Sequence, residues 1–400
     1  MQTTRRQFLI GGLAVTAAVP LASRSANALG EPGAFGSRGD ADERVLVVLQ
    51  LSGGNDALNM VVPGRQDAYF KLRPTLALAR GSLHRLDDDF GLHPSMGALA
   101  PLFADGRASL VHGVGYPQPN RSHFRSMEIW HTADPEHPPG TQGWMGRIAD
   151  ELAERAPGSL VALHIGDGDL PLALRAEKSF TPTLRGKNGL ELRASAGPTR
   201  VARDGLLARD GRGELAFLRS AARTTYAAAE RMGAIASRAS KSDYPNSRLA
   251  ERLALVAKLV AGGFGTRLFH VELAGFDTHS RQAPVHAALL GELSGALAAF
   301  QQDLDAQGVG SRVTTMVFSE FGRRVEENGS KGTDHGAAAP VLFVGRTLRP
   351  GLHGTPPDLE ALVEGDVPFT TDFRALYAAL ERDWLGVKPS TKTKPLTLFA

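Results

Sequence analysis

The chain of 400 residues contains no cysteine. Disulfide staples and thiolate metal centres are therefore both excluded. Any metal has to be held by carboxylate, imidazole, hydroxyl or carbonyl groups, which favours zinc, manganese, magnesium or calcium. Past the N-terminus no stretch reaches ~18 uninterrupted apolar residues, so no transmembrane span is expected in the mature chain. No Gly-x-Ser-x-Gly turn occurs, which disfavours a metal-free serine hydrolase. No internal repeat is present.

Net charge is also scarce. Lys and Arg number 45 against 42 acids, and residues 1–28 hold Arg5, Arg6 and Arg24 but no acid. Without that segment the balance is 45 − 3 = 42 against 42. The calculated pI of about 9.2 thus rests in part on the leader, and no nucleic-acid partner is expected.

The start of the chain carries a pattern of its own. Arg5-Arg6 precede an apolar run from Phe8 to Pro20 and a small-residue cleavage pattern, Ala26-Asn27-Ala28. That order marks a twin-arginine export signal over residues 1–28, too short and too rich in Gly and Ala to span a bilayer. A mature protein in the periplasm or secreted beyond it follows, with the twin-arginine machinery as a partner. Residues 29–43 are Gly-rich and polar and suit a linker.

From residue 44 onward the chain alternates apolar strands with Ala/Leu-rich helices. Runs at 44–51, 108–115, 160–166, 267–273, 312–318 and 340–345 have the continuous apolar character of strands buried on both faces. Helical patterns at 95–105, 145–156, 283–307 and 372–384 separate several of them. This predicts one large α/β domain over residues 44–400, three layers deep with a mostly parallel central sheet. Residues 176–250 break the pattern and are expected to form a helical insertion, either a cap near the site mouth or a peripheral hairpin.

The chemistry-bearing residues gather where strands are expected to end, and in an open α/β sheet ligands bind beyond the carboxyl ends of the strands. Asp56 follows Gly53-Gly54-Asn55; its bland reading is a turn residue. Asp277 and His279 stand two apart, so in an extended segment both can reach one cation; alternatively they cap the next helix. Glu320 lies in Phe318-Ser319-Glu320-Phe321-Gly322. Asp334 and His335 are adjacent after a Gly-rich loop, and His353 lies 18 residues beyond His335. Ser122 stands between Arg121 and Arg125. A serine hydroxyl becomes a nucleophile when activated by a metal, and arginines grip anionic oxygens in a fork. Ser122 also suits a helix N-cap. His123 and His131 fit core or surface positions better than ligand positions.

Together these segments resemble the bacterial family known as domain of unknown function 1501, over roughly residues 44–385. That family is similar to the alkaline phosphatase and sulfatase superfamily. The resemblance implies an alkaline phosphatase-like fold and two divalent metals, zinc or manganese. Asp56, Asp334 and His335 would hold one, Asp277, His279 and His353 the other, with Ser122 between them as nucleophile. Arg121 or Arg125 would neutralise substrate oxygens, and Glu320 would replace a ligand, position a water or pair with Arg323. The implied activity is hydrolysis of phosphate or sulfate esters, with a small anionic ester or an anionic glycan as the bound species. The alternative is a non-catalytic exported binding or assembly protein on a depleted version of the same fold.

Overall fold

A computed structural model describes residues 8–10, 13–15, 44–137, 140–185, 219, 228 and 230–400. Arg5, Arg6, the cleavage pattern, the linker at 29–43 and most of the expected insertion at 176–250 lie outside the described residues.

A nine-stranded sheet organises the protein. Its strands are β1 (Val45–Ser52), β2 (Ala108–Gly115), β3 (Ala162–Ile165), β4 (Thr183–Leu184), β5 (Leu268–Ala274), β6 (Val313–Phe318), β7 (Ala339–Gly345), β8 (Gly351–His353) and β9 (Thr371–Asp372). They lie in the order β8-β2-β7-β6-β1-β5-β3-β4, with β9 pairing to β2. Central β1 is buried along nearly its whole length. Its odd-numbered residues, Val45 to Leu51, join one core cluster and Leu46 and Val48 the other, as period-two alternation in a doubly covered sheet requires.

Helices α3 (Arg248–Ala261) and α4 (Gln282–Ala306) cover the first face. Helices α1 (His123–Thr132), α2 (Trp144–Arg155) and α5 (Phe373–Ala379) cover the second. The architecture is therefore the expected three-layer α/β/α sandwich. Helix α4 is the one described helix long and apolar enough by composition to cross a membrane. Its apolar stripe, including Leu290, Leu293, Leu297, Phe300 and Leu304, is buried in the core. The described ends of the 176–250 region join the same body, β4 extending the sheet beside β3 and α3 packing in the core.

One strand departs from the parallel expectation. Strand β7 runs antiparallel to both β6 and β2, while every other pairing in the sheet is parallel. A strand buried on both faces carries the same apolar run in either direction, so composition does not reveal its sense. The reversal has a consequence for function, because the start of β7, rather than its end, lies at the carboxyl edge of its neighbours. The loop carrying Asp334 and His335 is thereby brought to that edge.

Candidate metal centre

Four segments meet at the carboxyl edge: the turn after β1, the segment after β5, the loop between β6 and β7, and the first turn of α1. Gly53 permits the approach. Its φ is +119°, and a Cβ there would collide with the backbone of Phe276 and Asp277. Arg323, 3% exposed, then staples the segments together. Its Nε donates to the Gly54 carbonyl at 2.6 Å and Nη1 to Thr333 at 2.8 Å. Its Nη2 reaches the Phe276 carbonyl at 3.0 Å and Asp277 Oδ1 at 2.7 Å, with the Gly53 carbonyl also in contact. A rigid guanidinium fork suits this multiple capture of carbonyls.

Three imidazoles surround Asp277, and each has its Nδ1 occupied from behind. His123 Nδ1 donates to Glu320 Oε1 at 2.8 Å, His335 Nδ1 to the Arg121 carbonyl at 2.7 Å, and His279 Nδ1 to Asp334 Oδ1 at 3.1 Å. Their Nε2 atoms turn toward Asp277 Oδ1, at 3.5 Å from His123, 3.3 Å from His335 and 3.0 Å from His279. The Nε2 atoms of His279 and His335 are 2.9 Å apart. One ligand atom each from His123, Asp277 and His335 lie within 4.8 Å of one another. His123 Nε2 is buried without a hydrogen-bond partner, and a buried polar atom of this kind is suited to bind a ligand. Bonds of ~2.1 Å in a tetrahedral shell would set such atoms ~3.4 Å apart, close to the spacings seen.

The protonation pattern favours the ligand forms of Asp277 and His335, whereas His123 has to release a proton to bind a metal. Burial opposes charge on Asp277, but hydrogen bonds and charge from Arg323, with His335 and His279, bring its pKa down to about 2. Burial and the Arg323 charge lower His335. The Glu320 hydrogen bond raises His123. Burial would raise Glu320, yet the His123 bond and backbone amides outweigh it and hold the carboxylate below its usual range.

The other expected site residues have different surroundings. Asp56 is fully buried, its Oδ2 paired with Arg73 Nη1 at 2.6 Å and bonded by Gln282. Burial would raise its pKa, but the Arg73 charge and hydrogen bond prevail and lower it. Ser122 sits at the N-cap position of α1, exposed and with no capping bond from its side chain. Arg121 pairs with Asp366, Nε to Oδ2 at 3.0 Å, and Arg125 with Glu128 at 2.7 Å. His353 stands at the end of β8 beside Val111, its Nε2 bonded to the Arg349 carbonyl at 2.9 Å. Glu320 is 2% exposed and, besides His123, accepts the Gly53 amide at 2.9 Å.

His123 and Arg323 are the members that sequence reasoning undervalued. The available signal was local: His123 follows Ser122 directly, so a helix start that exposes the serine turns the next side chain inward. Beside the cluster lies a cavity of about 480 Å³, walled by Phe124, Met127, His131 and Leu172, with Ser52 also lining it. Ser52 Oγ donates to Glu272 Oε1 at 2.5 Å and accepts from Gln50 Nε2 at 2.7 Å.

Comparison with known proteins gives a family and a set of distant folds. The family described as protein of unknown function (DUF1501) matches residues 43–380. No curated protein matches the chain. Among solved structures, the lipoteichoic acid synthase LtaP from Listeria monocytogenes is 9% identical, with a TM-score of 0.42, covering 90% of this chain and 77% of that one. A protein in the alkaline phosphatase superfamily from Vibrio parahaemolyticus is 13% identical, TM-score 0.37, covering 78% and 62%. The PsFucS1 sulfatase from Pseudoalteromonas sp. is 11% identical, TM-score 0.37, covering 86% and 68%.

Proposed function

We propose that this chain, which belongs to the DUF1501 family, is a metal-dependent hydrolase of phosphate or sulfate esters. The observation that carries the reading is the shared orientation of three imidazoles, each tied at Nδ1 and each directing Nε2 at Asp277 Oδ1. Nitrogen and oxygen donors held from behind in this way fit zinc or manganese. A divalent cation bound there supplies a Lewis acid for a phosphoryl or sulfuryl oxygen.

The chain's own residues perform the remaining tasks. His123, Asp277 and His335 would be ligands, and His279 closes the set from the solvent side. Glu320 and the Arg121 carbonyl fix the ring tautomers, while Arg323 keeps Asp277 ionised. Two serines are candidates for the nucleophile: Ser52, which lines the cavity and whose proton already points to the Glu272 carboxylate, and Ser122 at the exposed start of α1. We infer one cation and not two, because Arg73 already neutralises the buried Asp56, whose Oδ2 accepts from Arg73 and Gln282 while Oδ1 has no protein partner.

A second reading, an exported binding protein without turnover, draws support from the arginines. Arg121, Arg125 and Arg323 are all engaged by protein groups, so none is held ready for a substrate oxygen. In either reading, Arg5-Arg6 and the apolar run behind them direct twin-arginine export. Elemental analysis of the purified mature protein, followed by a panel of phosphate and sulfate esters with zinc or manganese restored, tests the proposal. One bound ion with ester turnover is expected. One ion without turnover favours the binding protein, and no ion overturns the metal-dependent hydrolase.

A further inference from the structure

The wall of the cavity beside the histidine cluster is unlike a site for a highly charged substrate. Phe124 is 91% exposed, the most exposed large apolar side chain among the described residues. It stands one residue after His123, and Met127 and His131 follow it at helical spacing on α1, with Leu172 also lining the cavity. Large apolar side chains exposed at a functional pocket mark contact with an apolar partner.

The charged groups around the cavity point the same way. Asp277, Glu320 and Glu128 line it, and no Lys or Arg does among the described residues. Glu128 is itself neutralised by Arg125 at 2.7 Å. His131, with its pKa pushed down to about 4 by burial, is an uncharged wall at neutral pH. A substrate with several negative charges would find no Lys or Arg in the described lining, since Arg125 and Arg323 are already paired with Glu128 and Asp277, whereas an ester with one anionic group needs only the metal to hold that group.

We infer that the cavity receives an aryl or alkyl group, so that the substrates are esters with one anionic head and an apolar, uncharged alcohol portion. This rests on the metal-centred reading above, which supplies the site for the head. A cavity of about 480 Å³ is of the size that takes up a small organic ligand. Phe124, Met127 and Leu172 are then the specificity-determining residues, with no part in the bond cleavage itself.

Non-hydrolysable phosphonates separate this inference from the activity. The zinc-loaded mature protein would be titrated calorimetrically with methylphosphonate, hexylphosphonate and phenylphosphonate, and the same series repeated on a Phe124→Ser/Leu172→Ser variant. Both altered positions are solvent-accessible, and circular dichroism checks the fold. The expected result is binding of phenyl- or hexylphosphonate at least tenfold tighter than methylphosphonate, with the ratio falling to near one in the variant. Equal affinities, a ratio that survives the substitutions, or no binding by any of the three overturns the inference. A retained apolar preference in a protein that hydrolyses no ester would sink the hydrolase reading alone.

Discussion

Glu320 holds His123 in place: its Oε1 accepts the imidazole Nδ1–H at 2.8 Å and the Gly53 amide at 2.9 Å. A carboxylate behind a ligating imidazole fixes the tautomer and raises ligand basicity, and removing such a partner weakens metal binding ~10–100-fold. Glu320→Ala should show a loss of that size, with Glu320→Gln losing less because its carbonyl oxygen still accepts from Nδ1. Competition titration with a zinc chelator measures it. Equal zinc affinity in wild type and Glu320→Ala would remove Glu320 from the site.

Arg73 and Asp56 form a buried pair, both side chains fully shielded from solvent. Removing one partner of such a pair leaves an uncompensated charge and costs about 3–5 kcal/mol. Arg73→Met should therefore lower unfolding stability by that amount in denaturant titration while the metal content stays at the wild-type level. Asp56→Asn decides the ligand question directly. Metal lost from a folded Asp56→Asn protein would restore Asp56 as a ligand.

The two serines are distinguishable by kinetics. A nucleophile carries a covalent step, so its alanine variant should keep metal and fold and lose turnover at least ~100-fold. Ser122→Ala and Ser52→Ala should differ sharply, only one showing that loss in ester hydrolysis. Activity within about tenfold of wild type in both, ~1.4 kcal/mol of barrier, leaves attack to water.

Several core histidines make stability fall in acid. Burial pushes His112, His131, His164 and His286 down to about 4, and His270 well below its ordinary value. Depressed imidazoles are neutral when folded and take up protons on unfolding, so the unfolded state binds more protons below ~6.5 and stability rises with pH. The melting temperature should therefore decline as pH drops from ~6.5 toward 4. Each group contributes at most ~1.4 kcal/mol per pH unit. His270→Phe should flatten the slope; an unchanged slope would show that His270 does not titrate on unfolding.

The proposed export rests on the leader alone. Arg5→Lys with Arg6→Lys should abolish appearance outside the cytoplasm without changing the melting temperature of the mature domain. Cell fractionation reads the first outcome and thermal denaturation of the purified domain the second.

The sheet was largely legible because strands buried on both faces write continuous apolar runs. The run at 108–115 coincides with β2, and helices α2 and α4 fall within a residue of their expected spans. The short strands β4, β8 and β9 carry too few residues to stand out, and the expected helix at 95–105 is split into a 3-10 turn at Pro94–Met96 and a helix at Ala100–Ala104.

The sequence by itself determined the layered α/β class, the exclusion of thiolate chemistry and the loops that hold Asp277, His279, Asp334 and His335, because these depend on residue type and local periodicity. Tertiary structure decided which of the acids and imidazoles lie together. Asp56 looks as available as Asp277 in the sequence, yet Arg73, 17 residues on, neutralises it through Oδ2 because both are buried where a lone charge is costly. His123 turns inward and Ser122 outward according to where a helix begins, and the reversed sense of β7 delivers His335 to the cluster. These are long-range matters of burial and chain direction, and a residue's identity does not carry them.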